Sequence, residues 1–260
     1  ALDHKYYVYS HSAAFNQHKG FSIVGGVDLD NKLAKTFENK YDSKFYSNTQ
    51  VALQQSNPDI VVIAVTTDLH NQVLKDIVKH SKPKVILCEK PLSYDTEEAL
   101  SMQKLCNAYN IQLFVNYMRN SSPDAIEIKN KIENGTYFGH FKGVVWYSKG
   151  LIHNGSHFVN LLTYWLGPIK ESHCIGKGRL LGDQDIETDF SLTFEKGKIA
   201  NIEHYSETYQ ETNSKGVPTM AGQNQTLEVN KTGLYMSLVK SFMKKVAIGN
   251  SPNDILEGVN

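Results

Sequence analysis

The sequence predicts an α/β chain in two parts: a Rossmann-like parallel sheet over residues 1–118, then an α+β half over residues 119–260 with an open, mainly antiparallel sheet. Three observations carry this. The run at 59–65 is continuous and rich in β-branched residues, as a strand covered on both faces is; 85–88 is a short apolar run, and 111–115 reads as one more strand. Helical stripes separate them, so strand-helix-strand units repeat. Beyond about residue 116 the pattern changes: apolar and polar residues alternate over 186–194, and EKGK at 195–198 reads as a tight turn.

In order, residues 10–19 read as a helix and 21–27, FSIVGGV, as a strand ending at Asp28. Residues 31–40 form a helix with Leu33, Ala34 and Phe37 on its apolar face; 49–56 form a short one stopped by Pro58. After the 59–65 strand, Asp68 is the expected cap of a helix burying Val73, Leu74, Ile77 and Val78. After the 85–88 strand, Asp95 and Glu98 resemble a capping box, and Met102, Leu105, Cys106 and Tyr109 follow at helical spacing. In the second half Ala125, Ile128 and Ile132 mark a helix ended by Gly135, and 141–148 is a strand. Residues 154–168 are a helix that Ser156 or Asn154 can cap and that Gly167 and Pro168 stop. Strands at 186–194 and 199–206 make a hairpin. Residues 209–224 read as a long polar loop, a lid or an oligomer contact. Tyr235, Leu238, Val239, Phe242 and Val246 form a last helical stripe closed by Gly249.

Composition excludes several functions. Lys plus Arg and Asp plus Glu both number 27, so no charge excess points to nucleic acid or an anionic membrane. The longest aliphatic run, 60–65, is far too short to span a bilayer. Cys88, Cys106 and Cys174 are widely spaced, which argues against a disulfide framework or zinc site and suits a reducing, cytoplasmic compartment. His153 has no acidic or Cys partner at ligand spacing, so no metal site is expected.

The stretch most suggestive of chemistry is VILCEKP, residues 85–91. It is a buried strand ending in Glu89 and Lys90, with Pro91 fixing the following turn. In an open α/β sheet, ligands bind beyond the carboxyl ends of strands, and a lysine there can pass a hydrogen bond or proton to a substrate oxygen. Asp28, at the end of its strand, is either a loop aspartate or the acid that accepts both adenosine ribose hydroxyls, which would favour NAD over NADP. No G-x-G-x-x-G stands before it; either the numbered chain lacks the first strand and glycine loop, which is the expectation, or the protein holds the pyrophosphate differently. GKGRLLG, residues 176–182, has glycines but no following helical pattern, and reads as a loop. In the 154–168 helix, Phe158, Leu161, Leu162, Trp165 and Leu166 face the core, while His157, Asn160 and Tyr164 share the other face and can line a pocket.

Four stretches, AVTTDLH at 64–70, CEKPLS at 88–93, NYMR at 116–119 and NGSHFVNLLTYWLG at 154–167, resemble the Gfo/Idh/MocA oxidoreductases, NAD(P)-dependent dehydrogenases of sugars, polyols and sugar nucleotides. The resemblance implies that Lys90 contacts both the nicotinamide ribose and the substrate hydroxyl, with Glu89 and a cis-linked Pro91 beside it. It places Thr66, Thr67 and His70 along the dinucleotide, His11 on the helix after the glycine loop, and Asn116 and Arg119 at the nicotinamide and substrate end. Asn154 and Asn160 join Arg119 on the substrate side. It also implies a homodimer or homotetramer built through the C-terminal sheet. Many relatives carry H-x-x-D-x-x-x-H on the second helix, but here His157 is followed by Asn160 and Tyr164. An amide cannot take a proton as a carboxylate does, so acid–base duty would fall to Lys90, His157 or Tyr164.

The function expected is hydride transfer between NAD and a sugar or nucleotide-sugar hydroxyl, in analogy with relatives of bacterial surface-polysaccharide pathways. Lys90 and His157 would face one cleft from separate halves of the chain. Two alternatives stand beside it: a redox-neutral lyase or glycosidase using tightly held NAD, and a non-catalytic ligand-binding or regulatory member of the fold.

Overall fold

The computed structural model describes residues 10–139, 141–182, 184–204, 219–222 and 225–228. They fall into two units, the first ending at Asn116 and the second beginning at Tyr117.

In the first unit the elements alternate as the apolar runs require. Helix α1 (His11–Gln17) starts at Ser10, whose Oγ accepts from the Ala13 amide. Strand β1 (Gly26–Val27) pairs in parallel with β2 (Phe45–Tyr46), and α2 (Ala34–Tyr41) lies between them in sequence. The strand expected over 21–27 is thus only two residues long, because only Gly26 and Val27 share a ladder with β2. Helix α3 (Thr49–Ser56) leads to β3 (Ile60–Ile63), α4 (His70–His80), β4 (Val85–Cys88), α5 (Thr96–Ala108) and β5 (Gln112–Val115). These three strands form a second parallel sheet in the order β3-β4-β5.

Strand β4 is central in that sheet and buried at all four positions. Leu74 and Ile77 of α4, Met102 and Cys106 of α5, and Leu113 of β5 are at most 1% exposed. Each such aliphatic side chain contributes about 1.5–3 kcal/mol by leaving water. Burial pushes the Cys88 thiol above its ordinary value and Cys106 to about 11, so neither is a nucleophile at neutral pH. Asp68 does not cap α4: it sits inside a 3-10 turn, Thr67–Leu69, that delays the helix start to His70. Asp95 does cap α5, accepting from the Glu98 amide at 2.7 Å, while the Glu98 carboxylate bonds Ser93 and Asn71 instead of completing a box.

The second unit packs helices α6 (Pro123–Glu133) and α7 (Ser156–Leu166) on a six-stranded sheet. Its strands are β6 (Phe141–Tyr147), β7 (Ile169–Leu181), β8 (Asp185–Phe194), β9 (Gly197–His204), β10 (Thr219–Gly222) and β11 (Gln225–Glu228), in the order β11-β10-β6-β9-β8-β7. All pairings are antiparallel except β6 with β9. Phe158, Leu161, Leu162, Trp165 and Leu166 of α7 meet Phe190, Leu192 and Phe194 of β8 in one core. The Trp165 indole N–H donates to the Ala125 carbonyl at 2.9 Å, tying α7 to α6.

Three expectations for this half are corrected. Residues 176–182 are not a loop: through Leu181 they are strand, with register shifts around Gly176 that absorb the glycines. At Gly178 a Cβ would lie 1.0 Å from the Glu187 carbonyl oxygen, so the glycine lets β8 approach. The segment 209–224 is not wholly a loop either, since 219–222 is β10, paired with both β11 and β6. Finally, α7 has no cap from Ser156 or Asn154. It opens with a π-helical turn, Leu151–Gly155, and the cap comes from β8, as described below. The helical stripe at 235–246 lies outside the described residues. Among the described residues, no helix is long and apolar enough to cross a membrane.

Candidate active site

In the first unit the site is built at the carboxyl ends of β4 and β5. The ladder runs one residue past each strand: the Glu89 amide donates to the Ile63 carbonyl at 2.9 Å and the Asn116 amide to the Cys88 carbonyl at 2.8 Å. That places the two side chains together, and the start of α1 adds a third. Glu89 Oε1 lies 2.6 Å from His11 Nε2 and accepts from Asn116 Nδ2 at 2.7 Å. Glu89 Oε2 accepts from the Lys90 amide at 3.3 Å. Burial alone would raise the Glu89 carboxyl; His11, Asn116 and the Lys90 amide together outweigh it and hold the group below the ordinary carboxylate value. An ionised, doubly held carboxylate thus fixes the first residue of the turn that presents Lys90. The Lys90–Pro91 peptide is cis.

His70 braces the same turn. It is 1% exposed, and its two ring nitrogens face the carbonyls of Leu92 and Val65, each at 3.1 Å. This ties the segment after Pro91 to the loop that carries Thr66 and Thr67. A neutral imidazole donates to only one of these carbonyls, and through these contacts His70 braces the loop against the turn. Asp28 directly follows β1; its amide donates to the Tyr46 carbonyl at 3.2 Å, and its exposed carboxylate accepts the Asp30 amide.

In the second unit, Tyr117, Arg119, Asn154, His157 and Asn160 come together where α7 meets the 3-10 turn Met118–Ser121. The Tyr117 and His157 rings meet edge to face with centroids 5.7 Å apart, and burial raises the Tyr117 phenol despite a hydrogen bond with Ser156. Arg119 lies over the Phe158 ring, 4.5 Å from its centroid, and reaches Asn154 Oδ1 at 3.4 Å. Asn160 is buried, and its Oδ1 accepts from Asn120 Nδ2 at 2.5 Å. Tyr164 sits two turns along α7 beside Lys129 of α6, 5.3 Å from its ring, and burial raises its phenol.

Sequence reasoning missed what holds this group in place. The Asp185 carboxylate at the start of β8 accepts the Ile152 and His153 amides, both at 2.9 Å, satisfying the first donors of the turn that opens α7. Gly150 has φ +86°, and a Cβ there would lie 2.0 Å from Asp185 Oδ2. Two residues on, Glu187 is 1% exposed although the alternation of β8 assigns it to the wet face. It accepts from Arg179 Nε at 2.7 Å and from the Lys149 amide at 3.0 Å. The only signal in sequence was the density of acids in DQDIETD, residues 183–189.

A parallel α/β unit of this kind is Rossmann-like. Residues 6–117 match the Gfo/Idh/MocA family model, described as oxidoreductase family, NAD-binding Rossmann fold. An uncharacterized oxidoreductase of Schizosaccharomyces pombe is 32% identical over 92 residues, 35% of this chain and 24% of that protein. An inositol 2-dehydrogenase of Corynebacterium glutamicum is 30% identical over 124 residues, 46% of this chain and 36% of that one. The matches thus span about a quarter to a third of the curated relatives. Among solved structures, the WlbA dehydrogenase of Bordetella pertussis, in complex with NADH and UDP-GlcNAcA, is 16% identical with a TM-score of 0.74, covering 96% of this chain and 88% of that one. At that identity the likeness establishes the fold.

The first unit fits an NAD nicotinamide end on its own terms. Asn116 is fully buried, and its Oδ1 has no hydrogen-bond partner among the described residues. A buried orphan acceptor beside Glu89 calls for a donor, and a carboxamide or ribose hydroxyl supplies one.

Proposed function

We propose that the protein is an NAD-dependent dehydrogenase that oxidises a CH–OH group of a sugar or nucleotide sugar, or runs the reverse reduction. The observation that carries this reading is the Glu89 cluster: a held carboxylate at the end of β4 that orders the turn bearing Lys90. NAD, when bound, supplies the hydride acceptor. Lys90 binds the substrate hydroxyl and, with His157, takes its proton; Asn116 offers its orphan oxygen to the cofactor, and Asp28 accepts the adenosine ribose hydroxyls. Thr66 and Thr67 line the dinucleotide path, with His70 and Pro91 holding their loops. Arg119, Asn154 and Asn160 orient the substrate, and Tyr164 is a reserve proton donor at the far end of the same helix face. The sugar class rests on the named relatives, among them the inositol 2-dehydrogenases and a dehydrogenase crystallised with UDP-GlcNAcA.

A role in surface-polysaccharide synthesis, a cytoplasmic location and assembly as a homodimer or homotetramer through the antiparallel sheet belong to the same proposal. The test is NADH formation by the intact protein across a panel of polyols, sugars and nucleotide sugars. Turnover with at least one of them supports the reading. Its absence across the panel, with NAD still bound, supports the non-catalytic alternative, for which the amide at Asn160 and its 2.5 Å tie to Asn120 speak.

A further inference from the structure

Among the described residues, Arg119 is a cation without an anion: no carboxylate lies within ion-pair distance of it. Its Nη1 is shielded from solvent and has no hydrogen-bond partner among the described residues. Among the described residues its Nη2 reaches only a neutral oxygen, Asn154 Oδ1, at a long 3.4 Å. That oxygen is aimed there because Asn154 Nδ2 donates to the Ser148 carbonyl at 2.9 Å. Phe158, itself buried in the core, fixes the guanidinium from one side. Burial pushes the group down to about 10, still far enough above neutrality that it stays charged. Apart from the stacking on Phe158, folding gains nothing from such an arrangement, since a buried cation with unmet donors is destabilising and an apolar residue of similar size would serve packing as well. Elsewhere in the same unit the chain does pair its cations: Arg179 meets the buried Glu187 at 2.7 Å.

We propose that Arg119 is the receptor for a carboxylate carried by the substrate, which makes that substrate a sugar acid, free or nucleotide-linked, rather than a neutral sugar. The inference rests on the reading that the second unit binds the substrate of a dehydrogenase. A guanidinium held by its face presents its edge, and a planar carboxylate meets that edge through two parallel N–H···O bonds. Phosphate offers similar oxygens, so the test separates the two.

The intact protein, saturated with NAD, is titrated with glucose, glucuronate, glucose 6-phosphate, UDP-glucose and UDP-glucuronate, with binding and NADH formation recorded separately. The expected result is that the acid of a matched pair binds about 10- to 100-fold more tightly than its neutral counterpart, the order of a charge-assisted hydrogen-bond pair. Arg119→Met, which keeps a stem over Phe158, abolishes that preference; Arg119→Lys restores part of it. The proposal is overturned if neither acid binds, if neither is preferred, if the preference survives in Arg119→Met, or if glucose 6-phosphate displaces glucuronate. Should the Met variant not fold, the wild-type preference and the Lys variant decide. Acid-selective binding without NADH upholds the receptor and counts against the dehydrogenase. NADH from neutral sugars, with no acid preference, does the reverse.

Discussion

His11 and Glu89, 78 positions apart in the chain, meet with Nε2 and Oε1 at 2.6 Å. The contact joins the start of α1 to the end of β4, with side chains 11% and 24% exposed. His11→Ala removes one of the partners that hold the Glu89 carboxyl low, at an expected cost of about 1.5–3 kcal/mol near neutral pH. The pH dependence has a definite sign. The folded-state value of Glu89 lies below its ordinary 4.5, so its contribution is fully present above 4.5 and is lost as pH falls through the lower folded value. In His11→Ala the folded value rises, so acid destabilisation sets in at higher pH. Urea unfolding from pH 7 down to pH 3, compared with wild type, checks both.

Asp28 is exposed and directly follows β1, so its substitution tests cofactor choice with little effect on stability. Asp28→Ala is expected to weaken NAD binding by roughly tenfold and to narrow the NAD-to-NADP ratio by a similar factor, the order of one charge-assisted hydrogen bond lost and one phosphate repulsion relieved. Fluorescence titration with both reduced cofactors measures it.

Asp185 caps a helix from another strand, so its loss acts on His157 at a distance. Asp185→Ala leaves the Ile152 and His153 amides without their acceptor, at an expected cost of about 1–2 kcal/mol. Asp185→Asn keeps one acceptor oxygen and recovers about half of that cost. A structural role predicts lower stability alone. A positioning role predicts that KM for the substrate also rises while the affinity for NAD is unchanged.

Gly178→Ala tests the close approach of β7 to β8. A Cβ 1.0 Å from the Glu187 carbonyl oxygen cannot be accommodated by a side-chain shift, since the obstacle is backbone. The expected loss exceeds about 4 kcal/mol, and it also disturbs Glu187, on which Arg179 and the Lys149 amide converge. Thermal unfolding of the variant checks it.

Strands β3 and β4 were readable because 60–63 and 85–88 are apolar at every position, whereas the two-residue strands β1 and β2 carry no such run, so the first was read too long and the second was missed. Lys90 stood out for the same reason, as the first charged pair to break such a run. What could not be read was long-range. Nothing local says that the acid serving α7 sits at position 185, because a cap supplied by another strand leaves no spacing to recognise. Glu187 looked solvated because alternation gives the side of the strand and not what covers that side. Gly176 and Gly178 looked like a loop because a glycine required by a neighbouring backbone has the same sequence signature as one required by a turn. Tyr117 and Asn120 lie within or beside a stretch picked out for its neighbours, and only the packing shows them against His157 and Asn160.

The most direct test of the account is the steady-state rate of NADH formation by wild type and Lys90→Ala on the best substrate of the panel, with NAD affinity measured in parallel. A lysine that binds the hydroxyl and shares its proton predicts a fall in kcat of about 10²- to 10⁴-fold. Undiminished kcat in Lys90→Ala, with the fold intact, would contradict it.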